Sequence, residues 1–164
     1  MSFAMIKKTI PTDRSIAWIS LVPQLLLMAF LFGIFYILKV KEPFVFVGFT
    51  YLLLSFGLKK IFLKNHNKGI VLTKEGKDME AIASFKKSAS FFSKYSWIDR
   101  YRYITLLGSS KYSYREMALI NIAFCYVQLG EIEKAKEYYQ NILREYPGNN
   151  LAKQYLLKLN SPQA

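Results

Sequence analysis

Two long uncharged runs near the N-terminus dominate the pattern of hydrophobic and polar positions. Residues 16–38 contain no Asp, Glu, Lys, Arg or His, and residues 44–58 form a second such run. As a helix, the 23 residues of the first run span about 34 Å, more than the roughly 30 Å of a bilayer's hydrocarbon core. The second run reaches that length only if its helix continues to Leu63. The pattern predicts a transmembrane helical hairpin over residues 16–63, with helices at about 16–38 and 44–63.

The flanking cations predict the orientation of this hairpin. The connecting loop has only Lys39 and Lys41, partly offset by Glu42, whereas both outer ends are more basic. The positive-inside tendency therefore places both ends, including residues 1–15, in the cytoplasm. A hairpin that enters only one leaflet is the alternative topology, with the same cytoplasmic C-terminus. The cations are Lys7, Lys8 and Arg14 before the hairpin, and Lys59, Lys60, Lys64 and Lys68 at the membrane surface after it.

A cleaved signal peptide is a weaker interpretation of the first run. The run is longer than the roughly 7–15 apolar residues of a signal h-region, and no small-residue cleavage pattern follows it.

The C-terminal third alternates between apolar and polar positions with helical periodicity. The capping-box pattern from Ser113 to Glu116 predicts a helix that begins near Tyr114. Gly130 ends this helix, and a second helix is predicted from about 132 to 145. A last helix, at about 151–159, has apolar residues on one side and is expected to cap the end of the domain.

Residues 116–149 resemble a well-formed tetratricopeptide repeat. The resemblance depends on packing positions and on a helix-stopping proline, which are Leu119, Ile122, Ala123, Tyr126, Ala135, Tyr139 and Pro147. Repeats of this family are pairs of antiparallel helices that bind other proteins and carry out no chemistry of their own. The matched residues are packing positions, so the resemblance implies no particular binding residue.

A degenerate copy of the same repeat is predicted upstream, over about residues 62–95. Gly76, Ala81 and Phe85 correspond to Gly130, Ala135 and Tyr139, and Gly69 and Leu72 occupy the positions of Ala123 and Tyr126.

An insertion of about residues 95–114 separates the two copies. Its residues 97–107 contain no Gly or Pro, so one short helix is predicted that packs beside the repeats. Its aromatic and arginine content is also typical of an interfacial or partner-binding surface, with Trp97 and Tyr101 as candidate contacts.

The whole chain resembles small bacterial membrane proteins with two N-terminal transmembrane helices and a C-terminal tetratricopeptide domain. The predicted fold class is all-α, with a transmembrane hairpin, a short α-solenoid with one inserted helix, and a capping helix. The solenoid domain would cover residues 64–160 in the cytoplasm. The resemblance implies protein–protein interaction and complex assembly at the bacterial cytoplasmic (inner) membrane, with a multi-pass chain and both termini cytoplasmic.

Positive charge is concentrated outside the C-terminal repeat. Residues 1–63 have seven Lys or Arg against two Asp or Glu, residues 64–115 have eleven against four, and residues 116–164 have five against five. The basic segment 59–115 could attract anionic lipid headgroups, at about 1 kcal/mol per cation close to an anionic leaflet. Nucleic acid is not an expected partner, because these cations directly follow a membrane helix.

No residue constellation typical of catalysis, cofactor binding or metal binding is present in the sequence. Cys125 is the single cysteine and is expected to be a buried core residue. His66 is the single histidine and is expected to be a solvated residue after the second membrane helix. The chain is therefore expected not to be an enzyme.

Three functions remain from the sequence. The first is a membrane-tethered scaffold or adaptor that holds a cytoplasmic protein at the membrane, with Asn121, Phe124 and Gln128 lining a groove. The second is an accessory subunit of a larger membrane complex. The third is electrostatic binding of anionic lipid through the basic segment.

Overall fold

A computed structural model of the protein describes residue 11 and residues 17–161. These residues form nine α-helices and a short 3-10 turn, and no β-strand occurs among them. The predicted all-α fold is therefore confirmed. The predicted N-terminal segment 1–15 lies outside the described residues except for Pro11, as does the predicted helix start at residue 16. The helices are α1 (Leu21–Ile37), α2 (Pro43–Phe62), α3 (Lys64–Lys74), α4 (Asp78–Lys94), α5 (Ser96–Arg100), α6 (Arg102–Thr105), α7 (Tyr114–Gln128), α8 (Ile132–Glu145) and α9 (Asn150–Asn160).

Contacts divide the described residues into two compact units. The hairpin unit contains residues 17–64 and the inserted residues 97–111. The repeat unit contains residues 65–96 and 112–161, together with residue 11.

The hairpin unit contains two helices that are long and apolar enough to cross a membrane. The spans are Trp18–Ile37, which includes the 3-10 turn, and Pro43–Phe62, and each has 20 residues. At 1.5 Å per residue each extends about 30 Å. The second helix continues through Lys59 and Lys60 to Phe62, which makes it long enough to cross the hydrocarbon core. Two basic residues in a last turn also interact favourably with the carboxyl end of the helix dipole.

A tight turn joins α1 to α2. Lys39 has a φ of 53°, in the left-handed region, and the Val40 N–H donates to the Phe35 carbonyl at 3.1 Å. The bond joins residues five positions apart. It is typical of helices that end at a left-handed residue, which here is Lys39. Across the turn, the rings of Phe32 and Phe44 lie 4.8 Å apart between centroids.

In the repeat unit, the α3–α4 and α7–α8 pairs are joined by turns of the same geometry. Gly76 and Gly130 both have a φ of 76°, a conformation that glycine adopts without the steric cost of a Cβ atom. The same backbone bond closes each turn, from the Lys77 N–H to the Leu72 carbonyl and from the Glu131 N–H to the Tyr126 carbonyl, at 2.9 Å each. The two turns therefore direct their following helices back in the same way.

Small residues let the two helices of each pair approach closely. Phe85 of α4 and Tyr139 of α8 are both fully buried. Phe85 lies over Gly69 of α3, and Tyr139 shares a core cluster with Ala123 of α7. Ala81 and Ala135, at the equivalent places early in α4 and α8, are also fully buried. The predicted correspondence between these positions is thus matched by equivalent burial.

The last helix packs against α8. Tyr155 of α9 stacks on Tyr139, with 5.7 Å between ring centroids and 5° between ring planes. Ala152 is fully buried in the same core cluster. The predicted helices of the C-terminal third are confirmed, and α9 buries the aromatic surface that the second pair would otherwise expose.

We expect Gly69→Ala to destabilise the repeat unit. A Cβ at this position would lie 2.6 Å from Cε1 of Phe85, and that ring is fully buried. Overpacking of this kind costs about 2 kcal/mol of unfolding free energy. Denaturant unfolding of the detergent-solubilised chain, followed by circular dichroism, measures it.

Gly148→Ala is the matched control, because no atom lies within 4 Å of the added Cβ. Equal stability of the two variants would contradict close packing at Gly69.

Candidate functional site

The start of α7 is held by a complete capping box. Ser113 accepts a hydrogen bond on its Oγ from the Glu116 N–H at 3.1 Å. In return, Glu116 Oε1 accepts from the Ser113 N–H at 3.2 Å and from its hydroxyl at 2.9 Å. This arrangement satisfies backbone N–H groups that the first turn of a helix leaves without partners. The helix start predicted near Tyr114 is confirmed.

Glu116 also connects α7 to α9. Its Oε2 accepts a hydrogen bond from Nδ2 of Asn149 at 3.0 Å. Asn149 is itself the N-cap of α9, since its Oδ1 accepts from the Ala152 N–H at 2.9 Å. The Asn149 amide is buried, where an unpaired polar atom would be costly. These two bonds give both its oxygen and its nitrogen a partner. The sequence reasoning missed this residue, although an asparagine just before an apolar helical run is itself an N-cap signal.

A second polar contact closes the same end of the repeat unit. Arg115 forms a salt bridge with Glu145 and donates to the hydroxyl of Tyr146. Together with Glu116 and Asn149, it connects the start of α7 to the end of α8 and the start of α9. This end of the unit is therefore fixed by directional contacts in addition to apolar packing.

The three residues predicted to line a groove have different environments. Asn121 and Phe124 are only 2% and 1% exposed. The Phe124 ring lies edge-on to Tyr155, with 6.5 Å between centroids, so α9 is against it. Gln128 is half-buried at the end of α7. Of the three, only Gln128 is accessible to another protein in this conformation.

The predicted insertion folds as two short helices, whereas one was expected. α5 ends at Arg100 and α6 begins at Arg102, so the helix is interrupted at Tyr101. The segment was expected to pack beside the repeats, but its contacts group it with the hairpin. Trp97 and Tyr101, the two candidate contact residues, are 57% and 55% exposed.

The four candidate membrane-surface lysines lie at the end of α2 and in α3. Lys60, Lys64 and Lys68 are exposed, and Lys59 is half-buried. Lys59 and Lys60 belong to the hairpin unit with Lys64, whereas Lys68 belongs to the repeat unit.

His66 is buried, so the expectation of a solvated histidine was wrong. Its ring lies edge-on to Phe85 at 5.6 Å and to Tyr114 at 5.8 Å between centroids. Burial among these rings lowers the pKa of His66 to about 4, because the charged form loses its hydration. The neutral imidazole is therefore a packing residue of α3 near neutral pH.

Cys125 is a buried core residue, as expected. Its Sγ lies 3.5 Å from the Thr73 hydroxyl, which joins α7 to α3. Burial raises the pKa of the thiol to about 12, so very little thiolate forms near neutral pH. Among the described residues, no group of three or more His, Cys, Asp or Glu side chains is placed to hold a metal ion.

The antiparallel helix pair, its Gly130 turn and its capping helix can be compared with known families. Residues 117–149 match the family model described as tetratricopeptide repeat. This stretch is similar to a tetratricopeptide repeat. No curated protein and no solved structure matches the chain. Tetratricopeptide repeats are generally non-catalytic scaffolds that bind other proteins, and the match runs from Met117 in α7 through α8 to Asn149.

We expect Asn149→Ala to loosen α9 from the repeat. The substitution removes the N-cap of α9 and the hydrogen bond to Glu116, and loss of a cap and its bond costs about 2 kcal/mol. Asn150→Ala is the control, since Asn150 is exposed at the next position. Thermal unfolding followed by circular dichroism should separate the two variants. Equal melting temperatures would contradict the role of Asn149.

We expect acid to destabilise the repeat unit through His66. The unfolded histidine binds a proton near pH 6.5, whereas the folded one does so only near pH 4. Its contribution is fully present above pH 6.5 and is lost as the pH falls from there toward 4. Between pH 7.5 and pH 5 the loss is about 2 kcal/mol.

His66→Gln provides the comparison, because it cannot titrate and the chain has no other histidine. Unfolding free energies measured across this pH range should fall more steeply in the unchanged chain than in the variant. Parallel pH profiles would contradict the burial of a neutral imidazole.

Proposed function

We propose that this protein is a membrane-tethered scaffold that holds a cytoplasmic partner protein at the bacterial inner membrane. The observation that carries the proposal is the presence, in one chain, of an exposed apolar hairpin and a tetratricopeptide repeat. The repeat supplies a surface for another protein, and the hairpin determines where the two proteins meet.

The exposure of the hairpin supports its place in a bilayer. Only 6% of the first apolar span and 11% of the second are buried within the protein. A core helix of a soluble protein would be mostly covered, and apolar surface of this extent is unfavourable in water. Lipid chains are the environment in which these side chains are stable. The basic flanks then favour a multi-pass topology with both termini in the cytoplasm.

The division of the chain follows from this proposal. Residues 16–63 form the transmembrane hairpin, and residues 64–160 form the cytoplasmic domain, whose inserted residues 97–111 pack with the hairpin. We interpret α3 and α4 as the degenerate first copy of the repeat. Their turn repeats the φ of Gly130 and the five-residue backbone bond. Two copies are fewer than the roughly three that such arrays usually need, and the polar contacts at Glu116 and Asn149 add stability to the short array.

The proposed partner surface is helix α9, the last helix of the repeat unit, which we call its outer end. Leu157 of α9 is exposed, Gln128 is half-buried, and residues 116–164 carry equal numbers of acidic and basic side chains. A neutral surface with an accessible leucine suits a protein partner better than it suits an anionic lipid.

Single-cysteine labelling tests the topology. Cys125→Ala removes the only native thiol, and Lys41→Cys or Lys158→Cys then introduces one at the hairpin turn or in α9. A membrane-impermeant maleimide applied to intact cells should label Lys41→Cys at once. It should label Lys158→Cys only after the membrane is opened. Labelling of Lys158→Cys in intact cells would contradict cytoplasmic repeats, and extraction of the chain by alkaline carbonate would contradict the tether.

Site-directed photocrosslinking tests the scaffold role. A photoreactive amino acid at Leu157 should yield a discrete crosslinked protein in native membranes. The same amino acid at the exposed Lys86 of α4 is the matched control. Identical products from both positions, or none from Leu157, would count against a partner at the outer end.

The same experiment separates a free adaptor from an accessory subunit. A subunit of a larger membrane complex should carry its crosslinked partner into one detergent-stable particle, whereas an adaptor should release it when the bilayer is dissolved.

A further inference from the structure

The inserted residues 97–111 are structurally part of the hairpin unit. The Ala17 N–H, just before the first apolar span, donates to the Ser109 carbonyl at 2.9 Å. Helix α6 packs against α1 within the same unit. The segment therefore lies at the N-terminal end of α1, which is the cytoplasmic end in the proposed topology.

Internal hydrogen bonds give the segment a defined conformation. The Arg102 guanidinium donates to the carbonyls of Asp99, Ser110 and Lys111, at 3.2, 3.1 and 2.7 Å. The Thr105 hydroxyl donates to the Ile98 carbonyl at 2.7 Å. Leu107 is held in the left-handed region with a φ of 47°, which a non-glycine residue adopts at a cost of about 1 kcal/mol. A segment held in this way presents a fixed outer surface.

That outer surface is aromatic and apolar. Trp97, Tyr101 and Ile104 are 57%, 55% and 60% exposed. In the same unit, Ile19 and Val22 are exposed at the start of the first span. The apolar surface thus continues from the hairpin onto the inserted segment. Trp and Tyr are the residues enriched where a membrane meets water.

A groove lies between the segment and the start of α1. Its volume is about 520 Å³, and its walls are Ile19, Val22 and Pro23 on one side and Tyr101, Tyr103 and Ile104 on the other. Arg100 also lines the groove and is exposed. A guanidinium beside an apolar cleft matches a ligand with a hydrocarbon part and a phosphate, because arginine binds phosphate through paired N–H groups.

We propose that residues 97–111 form a membrane-interface element whose groove binds an anionic phospholipid. An acyl chain lies against Ile19 and Tyr101, and the phosphate contacts Arg100. This assignment rests on the proposed membrane insertion of the hairpin. Of the two roles that the sequence left open for Trp97 and Tyr101, an interfacial one and a partner-binding one, this assignment takes the interfacial one.

The two tryptophans of the chain allow the element and the hairpin to be tested separately. Trp18→Phe leaves Trp97 as the only indole, and Trp97→Phe leaves Trp18 in the first apolar span. Both side chains are exposed, so neither change disturbs packing. Each full-length variant is reconstituted into vesicles of phosphatidylcholine and phosphatidylglycerol, with bromine placed near the headgroup or near the end of the acyl chain.

We expect Trp97 to be quenched more strongly by bromine near the headgroup than by deep bromine, and to be protected from acrylamide. Strong acrylamide quenching without lipid quenching would overturn the proposal. Protection from both quenchers would also overturn it, since the surface would then be covered by protein. If lipid quenches Trp18 but not Trp97, the interface element fails and the tether stands. If lipid quenches neither, the tether fails as well.

Arg100→Gln tests the phosphate contact, with Lys153→Gln as a control that changes the net charge equally at an exposed site in α9. Brominated phosphatidylglycerol should be preferred near Trp97 over brominated phosphatidylcholine by about fivefold, the effect of one cation near an anionic headgroup. In the Trp18→Phe chain, the preference should disappear when Arg100→Gln is added and persist when Lys153→Gln is added. Equal quenching by the two lipids in the Trp18→Phe chain, or a preference that survives Arg100→Gln, would overturn the assignment of the phosphate to Arg100.

Discussion

The close approach of the two helices in each pair is the constraint on which the repeat unit depends. Gly69 leaves only enough space for the Phe85 ring, and the fully buried Tyr139 occupies the corresponding place in the second pair. Because interiors are packed to near-crystalline density, neither the small residue nor the ring can change alone. The left-handed glycine turns bring the helices back at the separation that these contacts require.

Local signals in the sequence were sufficient for most of the helices. A capping box, a glycine turn and a proline stop act within a few residues of chain, so α7 and α8 begin and end where those signals predicted. The environment of His66 depends on Phe85 and Tyr114, which come from α4 and α7. Helical periodicity predicts which face of a helix is apolar, but it does not show which later helix packs against that face. The burial of Phe124 beside Tyr155 has the same cause.

The inserted segment was the hardest part to predict, for two physical reasons. Trp, Tyr and Arg are enriched at protein interfaces and at membrane interfaces alike, so composition does not distinguish the two. In addition, the turn at Leu107 uses a left-handed residue that is not glycine. A leucine gives no local signal for this conformation, which persists only where the surrounding structure determines it.

A count of charges in the sequence treats every cation alike, whereas the structure distinguishes cations by their exposure and hydrogen bonds. Of the two arginines in the inserted segment, Arg102 is committed to backbone carbonyls of its own loop, whereas Arg100 is exposed beside the apolar groove. A guanidinium that already uses most of its N–H donors attracts an anionic group mainly through its net charge. An exposed one can also form directional bonds to phosphate. The basic excess of residues 64–115 therefore overstates the directional bonds that these cations offer to an anionic ligand, and the number of such bonds depends on exposed cations such as Lys64 and Arg100.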